Sequence, residues 1–180
     1  MKIIERIAKD FSRPKALPLE GIRLGICLHI TKETSVLVMA LKALGAELAL
    51  CSANPLSIQN DIVCFLKNQE IQLFATRGES YRQYNESMLK VIRFRPDIVT
   101  DDGAELHFLV HRIGDKKIGA GTEETTSGVT RLKGLESKGH LKYPVIAVNN
   151  AQTKYLFDNR HGTGQSTVEG LMRTTSVFLP

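Results

Sequence analysis

The chain has 180 residues, 42% hydrophobic and 24% charged, enough for one domain with a sizeable core. No apolar run reaches the roughly 18 residues of a membrane-spanning helix, and residues 1–20 carry charges throughout, so neither a membrane segment nor a secretory signal is expected. The net charge of +5 comes from scattered Lys and Arg, without basic blocks or interleaved aromatics, so a nucleic-acid partner is not expected and anionic small molecules suit the surface better.

Residues 2–12 place Ile3, Ile4, Ile7 and Phe11 among charges at helical spacing, and Pro14 and Pro18 end that helix. Residues 22–28 (I-R-L-G-I-C-L) form an apolar run of strand length, the pattern of a buried parallel strand. A helix over 32–44 follows, with Val36, Leu37, Ala40, Leu41 and Leu44 on one face and Gly45 as its stop. The alternation continues with a strand at 47–51, a helix capped by Ser57 and running to Asn68, a strand at 71–75 and a helix over 80–94. A strand at 97–100 leads into Asp101-Asp102-Gly103, then a helix over 104–111. A strand at 117–120 runs into G-T-E-E-T-T-S-G, and its helix extends to Lys138. The last strand is 144–148 and the last helix 167–177. Strands and helices alternate every 20 to 25 residues or so, which predicts an α/β fold over 1–180: an open, mostly parallel sheet with helices on both faces. No G-x-G-x-x-G follows a strand and no P-loop motif occurs, so neither phosphate-binding fingerprint is present.

Polar residues collect where strands end. His29 and Thr31 follow the first strand, Ser52 and Asn54 the second, Asp101 and Asp102 the fourth, Glu123 and Glu124 the fifth, and Asn149, Asn150, Lys154 and Asp158 the last. Ligands of open parallel sheets bind beyond the carboxyl ends of the strands, so these groups are expected to converge on one edge. Each group alone has a plain alternative. An Asx-capped turn accounts for Asp101-Asp102-Gly103, and charge at a helix N-terminus accounts for Glu123-Glu124. If its segment is helical, Lys154–Asp158 is an i,i+4 pair, worth about 0.3–0.5 kcal/mol when exposed. Taken together, carboxylates around one cleft need a cation, a shared proton or a diol. Lys154 is the internal cation. A metal held by His29, Asp102 and Glu124 is the competing explanation, but no second histidine stands beside His29, and no metal is expected.

Four motifs in order carry a resemblance: C-L-H-I-T-K-E-T (27–34), N-P-L-S-I-Q-N-D (54–61), D-D-G-A-E (101–105), and G-T-E-E-T-T-S-G-V (121–129) with V-N-N-A-Q-T-K-Y-L-F-D-N-R-H-G-T-G-Q-S (148–166). They resemble the substrate-binding domain of S-adenosyl-L-homocysteine hydrolase, in the wording of its shorter archaeal and bacterial branch. The resemblance implies an NAD-dependent reaction: oxidation of the ribose 3′-hydroxyl, loss of homocysteine, addition of water, and reduction back to adenosine. It implies that Lys154 and Asp158 hold the ribose hydroxyls, with Lys154 as a base, and that Glu124 faces the ribose. His29 and Asp102 are implied in proton transfer near C4′ and C5′. Thr31, Glu33 and Gln59 are implied on the adenine side, and Asn149 and Asn159 on the cofactor-facing edge. Departures from the family pattern fall at Ile58, Asn60, Glu105 and Asn150.

The family's NAD-binding domain is not among these residues, so the chain is expected to be a substrate domain for S-adenosylhomocysteine or adenosine. Catalysis would need an NAD-binding domain or partner chain, and homo-oligomerisation is open. The alternative is a non-catalytic nucleoside-binding or regulatory paralogue. The three cysteines, odd in number and widely spaced, point to reduced thiols and a cytoplasmic protein.

Overall fold

Each strand-length apolar run pairs with its neighbours in one sheet. The computed structural model describes residues 1–12, 17–114 and 118–177. In chain order the elements are α1 (Lys2–Phe11), β1 (Arg23–Leu28), α2 (Lys32–Ala43), β2 (Glu47–Ser52), α3 (Asn60–Asn68), β3 (Gln72–Phe74), α4 (Tyr81–Arg93), β4 (Ile98–Asp101), α5 (Glu105–Ile113), β5 (Ala120–Glu123), α6 (Thr126–Ser137) and β6 (Val145–Ala147). A 3-10 turn at Val148–Asn150, a π-helical segment at Lys154–Gly162 and α7 (Thr163–Thr175) complete the chain.

The six strands are all parallel, in the order β3-β2-β1-β4-β5-β6. Successive strand side chains point to opposite faces, so the sheet separates two cores. Leu24, Ile26 and Leu28 of β1 pack with Val38 of α2 and Ile62 and Leu66 of α3. Cys27 of β1 and Cys51 of β2 pack on the other face with Met88 and Val91 of α4 and Leu106 and Val110 of α5. The three cysteines are free thiols. Local chemistry starts the helices as the sequence requires. Thr31 caps α2 through the Thr34 N–H, Ser80 and Gln83 form a capping box on α4, and Thr125 caps α6 through the Gly128 N–H. Among the described residues no helix is long and apolar enough to cross a membrane.

Three expectations shift. The fifth strand is Ala120–Glu123 rather than 117–120, which makes Glu123 its last residue; Lys117 lies outside the described residues. Its Gly-Thr-Glu composition hides it from an apolar-run search, because its inward residues are a glycine and a carboxylate. The last helix starts at Thr163 and runs on directly from the π-helical segment. Finally, Ser57 does not cap α3, whose N-cap is Gln59.

The order reverses between β1 and β4, which are neighbours although β4 follows β3 in the chain. That switch point opens a crevice at their carboxyl ends. Gly25 lets β1 sit tightly beneath it. A Cβ there would lie 2.9 Å from Pro96 Cγ and 3.1 Å from Val91 Cγ1. Gly25→Ala should therefore cost about 1–3 kcal/mol of stability, the usual range for overpacking. An unchanged urea midpoint would contradict the packing described.

Candidate functional site

The residues after β1, β4, β5 and β6 meet at the switch point. His29 leaves β1, and its Nε2 lies 3.4 Å from Asp102 Oδ2 at the end of β4. Glu124 follows β5, and its Oε1 is 3.8 Å from Lys154 Nζ. Lys154 Nζ also donates to Asp158 Oδ2 within the π-helical segment. Five of the residues expected to form the site thus meet in two groups, His29 with Asp102, and Lys154 with Glu124 and Asp158. The Lys154 side chain is only 19% exposed whereas Asp158 is 55% exposed, so the ammonium lies in the crevice and Asp158 on its rim.

Protonation follows from burial and neighbours. Burial raises Asp102, against the opposing pull of His29. Burial also raises Glu124, and the Asp102 charge adds to this. Burial alone would lower Lys154, but its bond and charge contact with Asp158, with Glu124 and Asp102 behind, raise it instead. Lys154 is therefore an ammonium in the free chain, and the raised carboxyls Asp102 and Glu124 are the groups that exchange protons nearer neutrality.

The convergence expected from the sequence is incomplete, because each acidic pair is split. Adjacent residues of an extended chain point to opposite sides. Asp101 is fully buried, where its carboxylate accepts from the Asp102 and His107 N–H groups at 2.9 Å each. Glu123 is fully buried too. It accepts from Gly103 N, Ala104 N, Thr125 N and Thr125 Oγ1 at 2.7–3.0 Å. Neither faces the crevice. Ser52 is likewise buried and bonds to Asn54.

The Glu123 carboxylate does structural work beneath the site. Gly103 and Ala104 both have positive φ, 103° and 63°. A left-handed non-glycine residue costs roughly 1–2 kcal/mol, and the two bonds to Glu123 hold this turn so that Asp102 projects outward. Gly128 makes room for that carboxylate, since a Cβ there would collide with it. From outside, Arg131 donates to Gly103 O at 2.5 Å and Glu105 Oε1 at 2.6 Å. Glu105, one of the departures from the family pattern, is thus engaged away from the crevice. Ile58, another, is fully buried in the core with Ile30 and Leu66.

The buried layer includes residues that the strand-end reading passed over. His107 and His111, four apart on α5, flank Tyr143. His107 Nε2 meets Thr122 O at 3.1 Å, so it carries the proton, and Nδ1 accepts from Tyr143 Oη at 2.9 Å. Asp101, His107 and Glu123 bring possible ligand atoms within 4.8 Å of one another. All three hold hydrogen-bond partners within the fold. The H-x-x-x-H spacing within an apolar helix was the available signal.

The remaining expected residues lie around this centre. Thr31 is engaged as the α2 cap, and the exposed Glu33 is lowered by its own backbone N–H and by Thr31. Gln59 donates its backbone N–H to Ile30 O at 3.0 Å, and its buried Oε1 has no partner among the described residues. Asn149 Oδ1 accepts from Asn159 Nδ2 at 3.0 Å and Thr126 Oγ1 at 3.3 Å.

The Rossmann-type strand order defines an α/β domain whose charged groups gather at the switch point, where open parallel sheets bind their ligands. The family model for S-adenosyl-L-homocysteine hydrolase matches residues 1–121 and 114–177. The chain belongs to that family. It is 51% identical over 180 residues to an adenosylhomocysteinase of Sulfolobus acidocaldarius and 48% identical over 182 residues to one of Aeropyrum pernix. It is 42% identical over 182 residues to an S-inosyl-L-homocysteine hydrolase of Methanococcus maripaludis. Each alignment covers 99% of this chain and 43% of the relative, so the chain spans less than half the length of these proteins.

Burial lifts Asp101 to about 7, against the bond from the His107 N–H and with the Glu123 charge adding to the rise. A carboxyl raised on folding binds its proton more tightly in the native state, so its contribution to stability grows as pH falls from about 7 towards 4. Burial lowers His107 instead, which weakens the fold as pH falls. The two effects separate in a variant. The stability gap between wild type and Asp101→Asn should widen from pH 8 to pH 5, read by urea unfolding. A constant gap would contradict the buried-acid assignment.

Proposed function

We propose that this chain is the substrate-binding portion of an adenosylhomocysteinase-type enzyme and that its crevice takes S-adenosylhomocysteine through the adenosine moiety. The observation that carries this reading is the Lys154 ammonium, bonded to Asp158 and 3.8 Å from Glu124, with the His29–Asp102 pair beyond. A ribose offers two adjacent hydroxyls, each a donor and an acceptor. Carboxylates accept from them and an ammonium donates to them, so the diol satisfies groups that otherwise repel one another. Lys154, held as an ammonium, serves as donor. A proton leaving a ribose hydroxyl would pass to Glu124 or, through Lys154, to Asp158. His29 and Asp102 form a second proton-exchanging pair on the far side of the crevice.

On the base side, Gln59 carries a buried, unpartnered Oε1, and a turn of its side chain would bring its amide to the base. In place of the amino group of adenine, hypoxanthine presents an oxygen, which the Gln59 amide could meet through its NH2, so adenosine and inosine are the two nucleosides to compare. The Methanococcus relative's name makes that comparison informative.

The family reaction draws its hydride chemistry from NAD. The described residues do not make a site for it. Asn149 and Asn159 are bonded to each other, and no glycine-rich phosphate loop follows a strand. They are suited to touching a cofactor edge, while its phosphates need polypeptide beyond these residues. We therefore assign turnover to a complete two-part enzyme. The exposed Tyr155, Phe157, Leu171 and Met172 support association with such a second part or a second copy. The free thiols support a cytoplasmic location.

Calorimetric titration of the chain with adenosine tests the reading. Binding should occur without NAD. Lys154→Ala and Asp158→Ala should each weaken it at least tenfold, about 1.4 kcal/mol, and leave the thermal midpoint within about 3 °C. Equal affinity in wild type and both variants would contradict the site. Binding without turnover once NAD and the rest of a family enzyme are supplied would instead identify a nucleoside-binding module.

A further inference from the structure

His29 has a second partner that no family motif reading gave it. Its Nδ1 lies 2.5 Å from Ser57 Oγ, on the side of the ring opposite Asp102. Ser57 sits in the connection between β2 and α3, where the sequence suggested a helix cap. The structure gives that cap to Gln59, which leaves the Ser57 hydroxyl for the imidazole.

The turn around it is tightly specified. Asn54 Oδ1 accepts from the Leu56 N–H at 2.9 Å, and the Asn54 carbonyl accepts from the Ser57 N–H at 3.1 Å and from Ser57 Oγ at 2.8 Å. Ser52 Oγ, fully buried at the end of β2, anchors the same turn by donating to Asn54 O at 2.9 Å and accepting from Asn54 N at 3.2 Å. Next in the chain, Ile58 is fully buried, so Ser57 is pinned from both sides.

We propose that Ser57 is a positioning residue for His29. A hydroxyl has one proton. With its proton directed to the Asn54 carbonyl at 2.8 Å, Ser57 faces the imidazole as an acceptor, and we infer that His29 Nδ1 carries the hydrogen. Nε2 then faces Asp102 and the crevice. The His29–Asp102 pair shares a single mobile proton, presented to the ligand side alone. The other charged groups around the pair are Lys154 and Glu124 across the crevice, with Glu123 behind Asp102. Ser57 acts through His29. This inference rests on the proposed role of the crevice only for its catalytic meaning. The proton placement is a property of the free chain.

The test is long-range 1H–15N NMR of the imidazoles in the 180-residue chain at pH 8, with Ser57→Ala and Ser57→Thr variants. In wild type, His29 should show a protonated Nδ1. Ser57→Thr, which keeps the hydroxyl, should preserve that pattern. Ser57→Ala should shift His29 to the Nε2-protonated form while the amide spectrum stays folded, and adenosine affinity should fall roughly tenfold. An unprotonated Nδ1 in wild type, or the same pattern in wild type and Ser57→Ala, overturns the proposal. If the tautomer changes as expected and no nucleoside binds any of the three proteins, the positioning role stands and the nucleoside reading fails.

Discussion

Two pairs of adjacent acids, Asp101-Asp102 and Glu123-Glu124, end neighbouring strands, and four carboxylates facing one crevice would repel one another. The structure separates them by the two-residue period of an extended chain. The inner member of each pair turns into the protein. Backbone N–H groups of the β4–α5 turn hold Asp101 and Glu123, joined for Glu123 by Thr125. The outer members turn into the crevice, where His29 answers Asp102 and Lys154 answers Glu124. The inner carboxylates thereby shape the turn that presents the outer ones. The small residues beside them follow from the same constraint. Gly128 leaves space for the Glu123 carboxylate, and Gly121 leaves space for the His107 ring.

The architecture was legible because parallel strands buried on both faces read as apolar runs, as at Leu24–Leu28 and Leu48–Cys51. Reading failed where burial was polar. β5 carries Gly121 and Glu123 inward, so its apolar signal lies three residues early, at Ile118. The site was legible as a set of strand ends, which topology alone brings together. Which acid of each pair faces the ligand was not, because that depends on the strand's exact last residue, the least certain feature of a pattern. Ser57 was misread for a related reason. Serine before a helical run fits a cap, and only the fold brings it beside His29, 28 residues earlier.

The same layering suggests a division of labour. Above the sheet edge sit the charged groups of the crevice, Asp102, Glu124, Lys154 and Asp158. Below it, His107, Tyr143, Asp101 and Glu123 are saturated with internal bonds and fix geometry. The π-helical segment belongs to the upper layer. It is exposed along most of its length and anchored through Asn159 to Asn149. Lys154 and Asp158 therefore ride on the least buttressed element of the site, where ligand contacts have most to order. π-helical geometry within a helix recurs at functional positions, and here it precedes α7 without a break.

The central claim is that these groups are arranged around a vicinal diol. The most direct measurement is the affinity of the chain for adenosine compared with 2′-deoxyadenosine and 3′-deoxyadenosine, followed by the side-chain NMR signal of Lys154. The account predicts that removing either hydroxyl weakens binding at least tenfold and that only the full diol shifts the Lys154 signal strongly. Equal affinities for all three nucleosides, or binding that leaves Lys154 unmoved, would contradict it.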